Sequence, residues 1–296
     1  MTGYALAVLA VYAIIGAAVG AFAVPRIADM LLSRAYLRSY TWWYRCLDDL
    51  SRYRDAFPGR LPRQSEKGSA GAVGMWLEDC RSQALKGTLT HERAEALREA
   101  GIDVGKGSSA RSEAEQRRRC SFSARAWQRA VLAAAMALWF AAQPLSGAPW
   151  HQGCLLCVCG AVMASGVVCD LRARVIPLEC CAALLVVGGA YQLLRHGSAG
   201  IAEGAVAAAV VLAVWWVANL IARKSGGSVG FGDIRCMTAL AFACGPATLL
   251  GAAACYASAC AFSLAGMLVH RLGRRDGIPM APFLSIWLAV GTTVLG

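Results

Sequence analysis

The sequence predicts an all-α, polytopic membrane protein of about eight transmembrane helices, with a cytoplasmic insert after the first helix. Of the 296 residues, 57% are hydrophobic and only 16% are charged, whereas charged residues make up about 25% of an ordinary soluble domain. Most apolar residues fall into runs of about 20, the length that crosses a bilayer as a helix. The charged residues are concentrated in one segment after the first run.

That charged segment divides the chain into three predicted domains. Residues 25–125 hold 19 Lys and Arg and 13 Asp and Glu, whereas the rest of the chain holds 10 basic and 5 acidic residues. We therefore predict a first transmembrane helix in residues 1–25, a basic cytoplasmic insert in residues 26–125 and a seven-helix transmembrane core in residues 126–296.

Eight apolar runs are candidates for the membrane spans. They cover residues 3–24, 126–143, 153–169, 178–194, 201–222, 236–247, 249–270 and 282–295. The first run lacks the basic start of a signal peptide and is too long for one, so we expect it to remain as a helix of the mature protein. The sixth run is short and depends on a break at Gly245–Pro246, so seven spans is the alternative.

The basic residues predict the orientation of these spans. With the amino terminus outside, the inside connections hold nearly every Lys and Arg, and the outside connections offer Arg195. This asymmetry follows the positive-inside rule and predicts a multi-pass protein of a bacterial cytoplasmic membrane. The net charge of +11 then reflects topology and contact with anionic lipid, so we do not expect a nucleic-acid partner.

Two aspartates stand at the predicted inner ends of spans. Asp170 ends the third span and Asp233 precedes the sixth, so the topology places both at one depth on the cytoplasmic side. Ionisable groups beside a span often mark a functional site. Two carboxylates that meet can share one proton and so supply the acid and the base that activate water against a peptide carbonyl. The alternative is that each aspartate only caps or ends its helix.

Glycine and proline residues near the aspartates are candidates for shaping that site. Gly230 and Gly232 permit positive φ and let another chain approach closely, which suits a site that must accept an extended peptide. Pro177 and Pro279 precede or begin apolar runs, where a proline can also simply start a helix. We keep both roles open for the prolines.

Three sequence motifs carry a resemblance to a known family. They are CDLRARVIP (169–177), GFGDIR (230–235) and IPMAPFL (278–284), and a weaker match is GAAVGAFAVPRIA (16–28). In their order and spacing the chain resembles the type IV prepilin peptidases, membrane aspartyl proteases of the GxGD class. The resemblance covers the first helix and most of residues 126–296, and it implies that Asp170 and Asp233 are the catalytic pair.

The resemblance also implies the substrate and raises the question of cofactors. Members of this family cut the basic leader from prepilins or pseudopilins, in type IV pilus assembly and protein secretion, at the cytoplasmic face of the membrane. Many then methylate the new amino terminus with S-adenosylmethionine, an activity that stays open here. Full-length members carry two CxxC pairs in the insert, whereas this insert has the isolated Cys46, Cys80 and Cys120. We therefore predict no metal site and no bound zinc, and proteolysis without a cofactor.

The helix ends predict how the two aspartates divide their roles. Asp170 lies at the negative end of one helix dipole and Asp233 at the positive end of another. This favours the shared proton on Asp170 and leaves Asp233 as the base toward water, although the pair titrates as a unit.

The cysteines supply the main alternative function. Cys154 and Cys157 form a CxxC pair at the predicted outer end of the third span, where a membrane thiol–disulfide oxidoreductase could use them. Most other cysteines of the core are spread through apolar runs, as small hydrophobic residues are. An ion-carrying transporter would place carboxylates near mid-membrane, whereas both aspartates lie at span ends.

Overall fold

The structure is a computed structural model that describes residues 3–63, 65–103, 112–224, 230–269, 271 and 278–293. Every regular element in these ranges is helical, which confirms the predicted all-α class. The α-helices are α1 (Gly3–Ala18), α2 (Val24–Ala56), α3 (Ser69–Leu85), α4 (His91–Glu99), α5 (Glu113–Arg119), α6 (Ala126–Leu145), α7 (Trp150–Ala173), α8 (Leu178–Lys224), α9 (Phe231–Cys244), α10 (Thr248–Leu268) and α11 (Ala281–Thr293).

Four helical stretches are long and apolar enough to cross a membrane. They are Ala5–Ala56, Trp150–Ala173, Leu178–Ile221 and Phe231–Leu268, and the shorter Ala281–Thr293 is also apolar. The structure therefore has four candidate membrane-spanning helices, which supports the prediction of a membrane protein. The count of eight spans and the three domain boundaries stay predictions.

Breaks at two glycines divide two of these stretches. Gly197 interrupts α8 with φ 63° and ψ −148°, and Gly245, with φ 54°, opens a short 3₁₀ turn between α9 and α10. Leu178–Ile221 and Phe231–Leu268 therefore each contain two of the predicted spans. The break expected at Gly245–Pro246 is present. The predicted ends at His270 and Leu295 lie outside the described residues.

The first helix does not end where its apolar run ends. A π-helical segment, Val19–Ala23, links α1 to α2, and the N–H of Val24 donates to the carbonyl of Val19. Pro25 follows directly. A proline inside a helix has no N–H and its ring crowds the preceding turn, and a π segment is one way to accommodate such a disturbance. The arginine-rich residues after Pro25 change the polarity of the helix but do not break it.

The chain divides into two compact units, Met1–Leu31 with Phe122–Gly296, and Leu32–Ser121. In the first unit, α9 is the central helix: its side chains Met237 and Leu240 are buried in an apolar core together with Leu184 of α8 and Trp287 of α11. This packing fixes the backbone of α9, which carries Asp233.

In the same unit, α1 packs closely on α6 through two glycines. A Cβ added to Gly16 or to Gly20 would overlap the backbone carbonyl of Met136 or of Leu132. Small residues four apart let two membrane helices approach in this way. The spacing is visible in the sequence as GAAVG.

The second unit has its own apolar core and a nearly buried ion pair. The rings of Trp43 and Trp76 meet edge to face with centroids 5.4 Å apart, and the Arg93 guanidinium lies 5.3 Å from the Trp43 ring. Arg93 Nη2 also donates to Glu113 Oε1 at 2.9 Å, with the two side chains 10% and 15% exposed. The basic insert is therefore a folded unit.

The cysteines of this second unit do not fit a zinc site. Cys46 and Cys80 are buried in its apolar core, and burial raises the pKa of the Cys80 thiol to about 12, whereas zinc binds thiolates. Across the described ranges, no three His, Cys, Asp or Glu side chains are grouped to hold a metal. The absence of zinc stays a prediction.

Filling the close contact between α1 and α6 should destabilise the membrane unit. We expect Gly20→Leu to lower the free energy of unfolding by about 1–3 kcal/mol or more, because the added side chain must push two backbones apart. Thermal unfolding in detergent measures this. Ala18→Leu is the matched control, since Ala18 is exposed; equal melting temperatures for the two variants would contradict the close packing.

Candidate active site

Asp170 is buried where α7 ends. It lies in the last turn of the helix, and its side chain is 5% exposed. The chain turns where α7 ends, because Arg174 adopts a left-handed conformation with φ 56°. The N–H of Arg174 donates to the backbone carbonyl of Asp170 at 2.9 Å. The next residues, Val175 and Ile176, then lead the chain to the start of α8.

The Asp170 side chain is held by the first residue of the last helix. The backbone N–H of Ala281 donates to Asp170 Oδ2 at 2.9 Å. The first N–H groups of a helix have no partner within the helix, and the next residue, Pro282, has no N–H at all. The carboxylate therefore satisfies a buried donor at the start of α11, which explains the physical role of the IPMAPFL motif.

Asp233 lies in the first turn of α9 and is half-buried. The N-cap of that helix is Gly230, with φ −61° and ψ 132°, and Gly232 is helical. Neither glycine uses the positive φ that its residue type permits. The close approach of a substrate chain stays a prediction; the group that lies next to Gly230 in the structure is the protein's own carboxylate.

The absence of a side chain at Gly230 leaves room for the Asp233 carboxylate. A Cβ built on Gly230 would lie 2.9 Å from Asp233 Oδ2, closer than a carbon and an oxygen normally come. A Cβ on Gly232 would lie 3.4 Å from the carbonyl oxygen of Ile176, an ordinary contact. The two glycines thus differ: the first makes space for the carboxylate, and the second lets the link after α7 pack on α9.

Both aspartates line one cavity of about 460 Å³. All three motifs contribute to its wall. The lining residues are Asp170, Arg174, Val175, Ile176, Gly230, Phe231, Gly232, Asp233, Arg235, Ile278 and Met280. Pro177 and Pro279 are not among them, but each is adjacent to a residue that is. Pro177 directly precedes α8, and Pro279 precedes α11 by two residues; their role in shaping the site stays a prediction.

Some of this wall could not be read from the sequence. The apolar residues Val175, Ile278 and Met280 carry no chemical signal of their own, and their position beside the motifs is the only indication. Arg174 and Arg235 also line the cavity, and both side chains are exposed. Two carboxylates in a partly apolar cavity can hold one proton between them and orient a water molecule.

The CxxC pair lies elsewhere. Cys154 and Cys157 are on the first turns of α7, with Cys154 exposed and Cys157 buried, and all thirteen cysteines of the chain are free thiols. Neither residue lines the cavity of the aspartates. No finding supports the thiol–disulfide oxidoreductase.

The contact between Asp170 and Ala281 predicts a stability difference between two variants. Asp170→Ala removes the acceptor of a buried N–H and should cost about 1–3 kcal/mol of stability. Asp170→Asn keeps a side-chain oxygen at this place and should lose less. Thermal unfolding of both variants measures the difference, and equal losses would show that the hydrogen bond contributes little.

Comparison with known proteins adds independent evidence. The family model of the type IV leader peptidase family matches residues 154–294, a segment that includes both aspartates and the whole lining of their cavity. No curated protein and no solved structure matches the chain. This match covers just under half of the chain, and over residues 154–294 it supports the resemblance to the type IV leader peptidase family.

Proposed function

We propose that the protein is an aspartyl endopeptidase that removes the basic leader from prepilin-type proteins at the cytoplasmic face of a bacterial cytoplasmic membrane. The family match supports a leader peptidase. The observation that carries the catalytic assignment is the shared cavity, because Asp170 and Asp233 line it together although they are far apart in the chain.

The proposed reaction uses the two aspartates as an acid and a base. The ionised carboxylate takes a proton from a water molecule as the water oxygen attacks the carbonyl carbon of the scissile peptide. The protonated carboxyl group donates its proton to the carbonyl oxygen. Collapse of the tetrahedral intermediate breaks the C–N bond. The carboxyl group that took the proton from water gives it to the leaving nitrogen, and the other carboxylate takes a proton from a hydroxyl of the intermediate, so that the products are an amine and a carboxylic acid and the pair is restored. The pair supplies all of these proton transfers, so no cofactor is needed for this step.

Which aspartate holds the proton stays a prediction. The helix dipoles favour the proton on Asp170. The contact from the Ala281 N–H to Asp170 Oδ2 acts in the opposite direction, because a donor stabilises a carboxylate oxygen. The helix dipole and this hydrogen bond therefore have opposite effects on Asp170, and only the effect of the dipole could be predicted from the sequence.

The proposed topology has eight spans with the amino terminus outside. Its support is the charge asymmetry of the connections and the breaks at Gly197 and Gly245, which divide two long helical stretches. In this topology the cavity faces the cytoplasm, where a basic leader remains, and the bilayer is the second partner. Methylation with S-adenosylmethionine is a separate activity, which mass measurement of the cleaved product would detect.

Asparagine at either aspartate should abolish cleavage. We expect Asp170→Asn and Asp233→Asn each to lower the rate of cleavage by at least about a thousandfold. In either variant the pair has lost one of the two carboxyl groups that exchange protons with water and substrate. Cleavage of a prepilin-type protein by the full chain in liposomes measures this. Near-normal turnover by either variant would rule out the pair.

Two controls separate this result from general damage. Glu203→Gln replaces an exposed acid of α8 that is not in the cavity, and it should leave cleavage unchanged. A zinc chelator should also leave the rate unchanged, and a strong loss would mean that a metal takes part.

The two glycines of the GxGD motif should differ in their effects. Gly230→Ala places a carbon against Asp233 Oδ2 and displaces the carboxylate, so we expect cleavage to fall by about tenfold or more. Gly232→Ala makes an ordinary contact with Ile176 and should have the smaller effect. The catalytic rates of both variants on one substrate test the order, and the reverse order would contradict the steric role of Gly230.

A further inference from the structure

A second and larger cavity lies along the first helix. It has a volume of about 750 Å³ and is lined by α1, the start of α2, α6, α7 and α8; we call it the first-helix groove. Its wall on the first helix includes Ile15 and Met30, which are 50% and 44% exposed. Its opposite side, on α7, includes the small residues Ala161 and Ser165. The groove is therefore apolar and open to its surroundings.

The lining residues set the length of the groove. On the first helix they run from Tyr12 to Leu31, 19 residues apart, which is about 28 Å at the helical rise. The acyl chain of one leaflet covers only about half of the ~30 Å hydrocarbon layer. The length therefore favours a membrane-spanning helix over a single lipid chain.

The surface of α7 in the groove suits contact with another helix. Ala161 and Ser165 are four residues apart, the spacing that lets two membrane helices approach closely. The Ser165 hydroxyl donates to the Ala161 carbonyl at 2.9 Å, so its polarity is satisfied within α7. At these two positions α7 therefore presents small side chains to the groove.

One end of the groove adjoins the cavity of the aspartates. Cys169, whose thiol contacts the carbonyl of Ala28 beside the lining residue Ile27, is the residue directly before Asp170. Glu179 and Cys180 line the groove only three residues after Ile176, which lines the aspartate cavity. A helix lying in the groove would therefore hold the residues just ahead of it at the aspartates.

The same end carries a negative charge. Glu179 lines the groove there, and a carboxylate at a membrane boundary attracts a cation more strongly than it would in bulk water. An apolar helix preceded by basic residues matches the groove in both respects, because its apolar face fits the wall and its positive start lies near Glu179. A neutral lipid chain matches only the wall.

We infer that the first-helix groove binds the transmembrane helix of the substrate and so presents the peptide bond ahead of that helix to Asp170 and Asp233. This inference rests on the proposed peptidase function for the identity of the substrate. It assigns a binding surface to the first helix, which lies outside the segment that matches the family model.

Filling the groove should weaken binding of the helix without harming the chemistry. Ala183 lines the groove, whereas its neighbour Ala182 is exposed and does not. For a prepilin-type protein in liposomes, we expect Ala183→Phe to raise KM by about tenfold and Ala182→Phe to leave it unchanged. A short soluble peptide that spans the scissile bond but lacks the helix should be cleaved equally by both. Equal KM values for the full substrate would overturn the inference.

Photo-crosslinking tests binding independently of cleavage. The photoreactive residue p-benzoylphenylalanine replaces Ile15, which lines the groove, or Ile14, which is exposed outside it, in full-length protein that also carries Asp233→Asn. We expect crosslinks to the substrate helix from position 15 and few from position 14. Crosslinks to lipid alone, or equal crosslinks from both positions, would overturn the inference. If the wild type cleaves nothing while position 15 still crosslinks, the proposed peptidase function fails and the groove assignment stands.

Discussion

The buried Asp170 carboxylate accepts the first backbone N–H of α11, and this hydrogen bond joins two segments that are 111 residues apart. A buried N–H without a partner costs free energy, and Pro282 leaves the start of α11 with few donors to satisfy. The carboxylate therefore has a structural task as well as its proposed catalytic one. Its position is fixed by the end of α7 and the start of α11 together, so the orientation of the proposed acid or base depends on the packing of the last helix.

Asp233 is positioned by a different physical principle. Its helix, α9, is anchored by buried side chains such as Ile234 and Leu240, so the backbone beneath the carboxylate is fixed. The carboxylate itself occupies the space that Gly230 leaves open. One aspartate is thus held by a hydrogen bond and the other by the shape of the backbone beside it. A half-buried carboxylate with room to adjust suits a group that must meet water and substrate.

Much of this arrangement could be predicted from the sequence, because topology alone brings span ends of one side together. The positions of Asp170 and Asp233 and the break at Gly245 follow from the order of apolar runs and charges. The contact with Ala281 could not be predicted, since a backbone N–H belongs to every residue type except proline. The contact of Gly230 with the Asp233 carboxylate could not be predicted either, because a glycine in the sequence does not show whether it is needed for positive φ or for the space that a missing Cβ leaves. The length of the first helix was missed because arginines end an apolar run without ending a helix.

The charges around the aspartate cavity constrain how a basic leader can lie. Arg174 and Arg235 line this cavity with the aspartates, and a carboxylate pair that shares one proton carries a single negative charge. Basic residues of the proposed leader would therefore gain little by entering the cavity. In the proposed complex they would be better stabilised near Glu179, which lines the first-helix groove, and by anionic lipid head groups. With the proposed substrate helix in the groove, the uncharged junction between leader and helix would be the part that lies at the aspartates. The position of cleavage would then be set by the point in the substrate where the charged leader ends and the apolar helix begins.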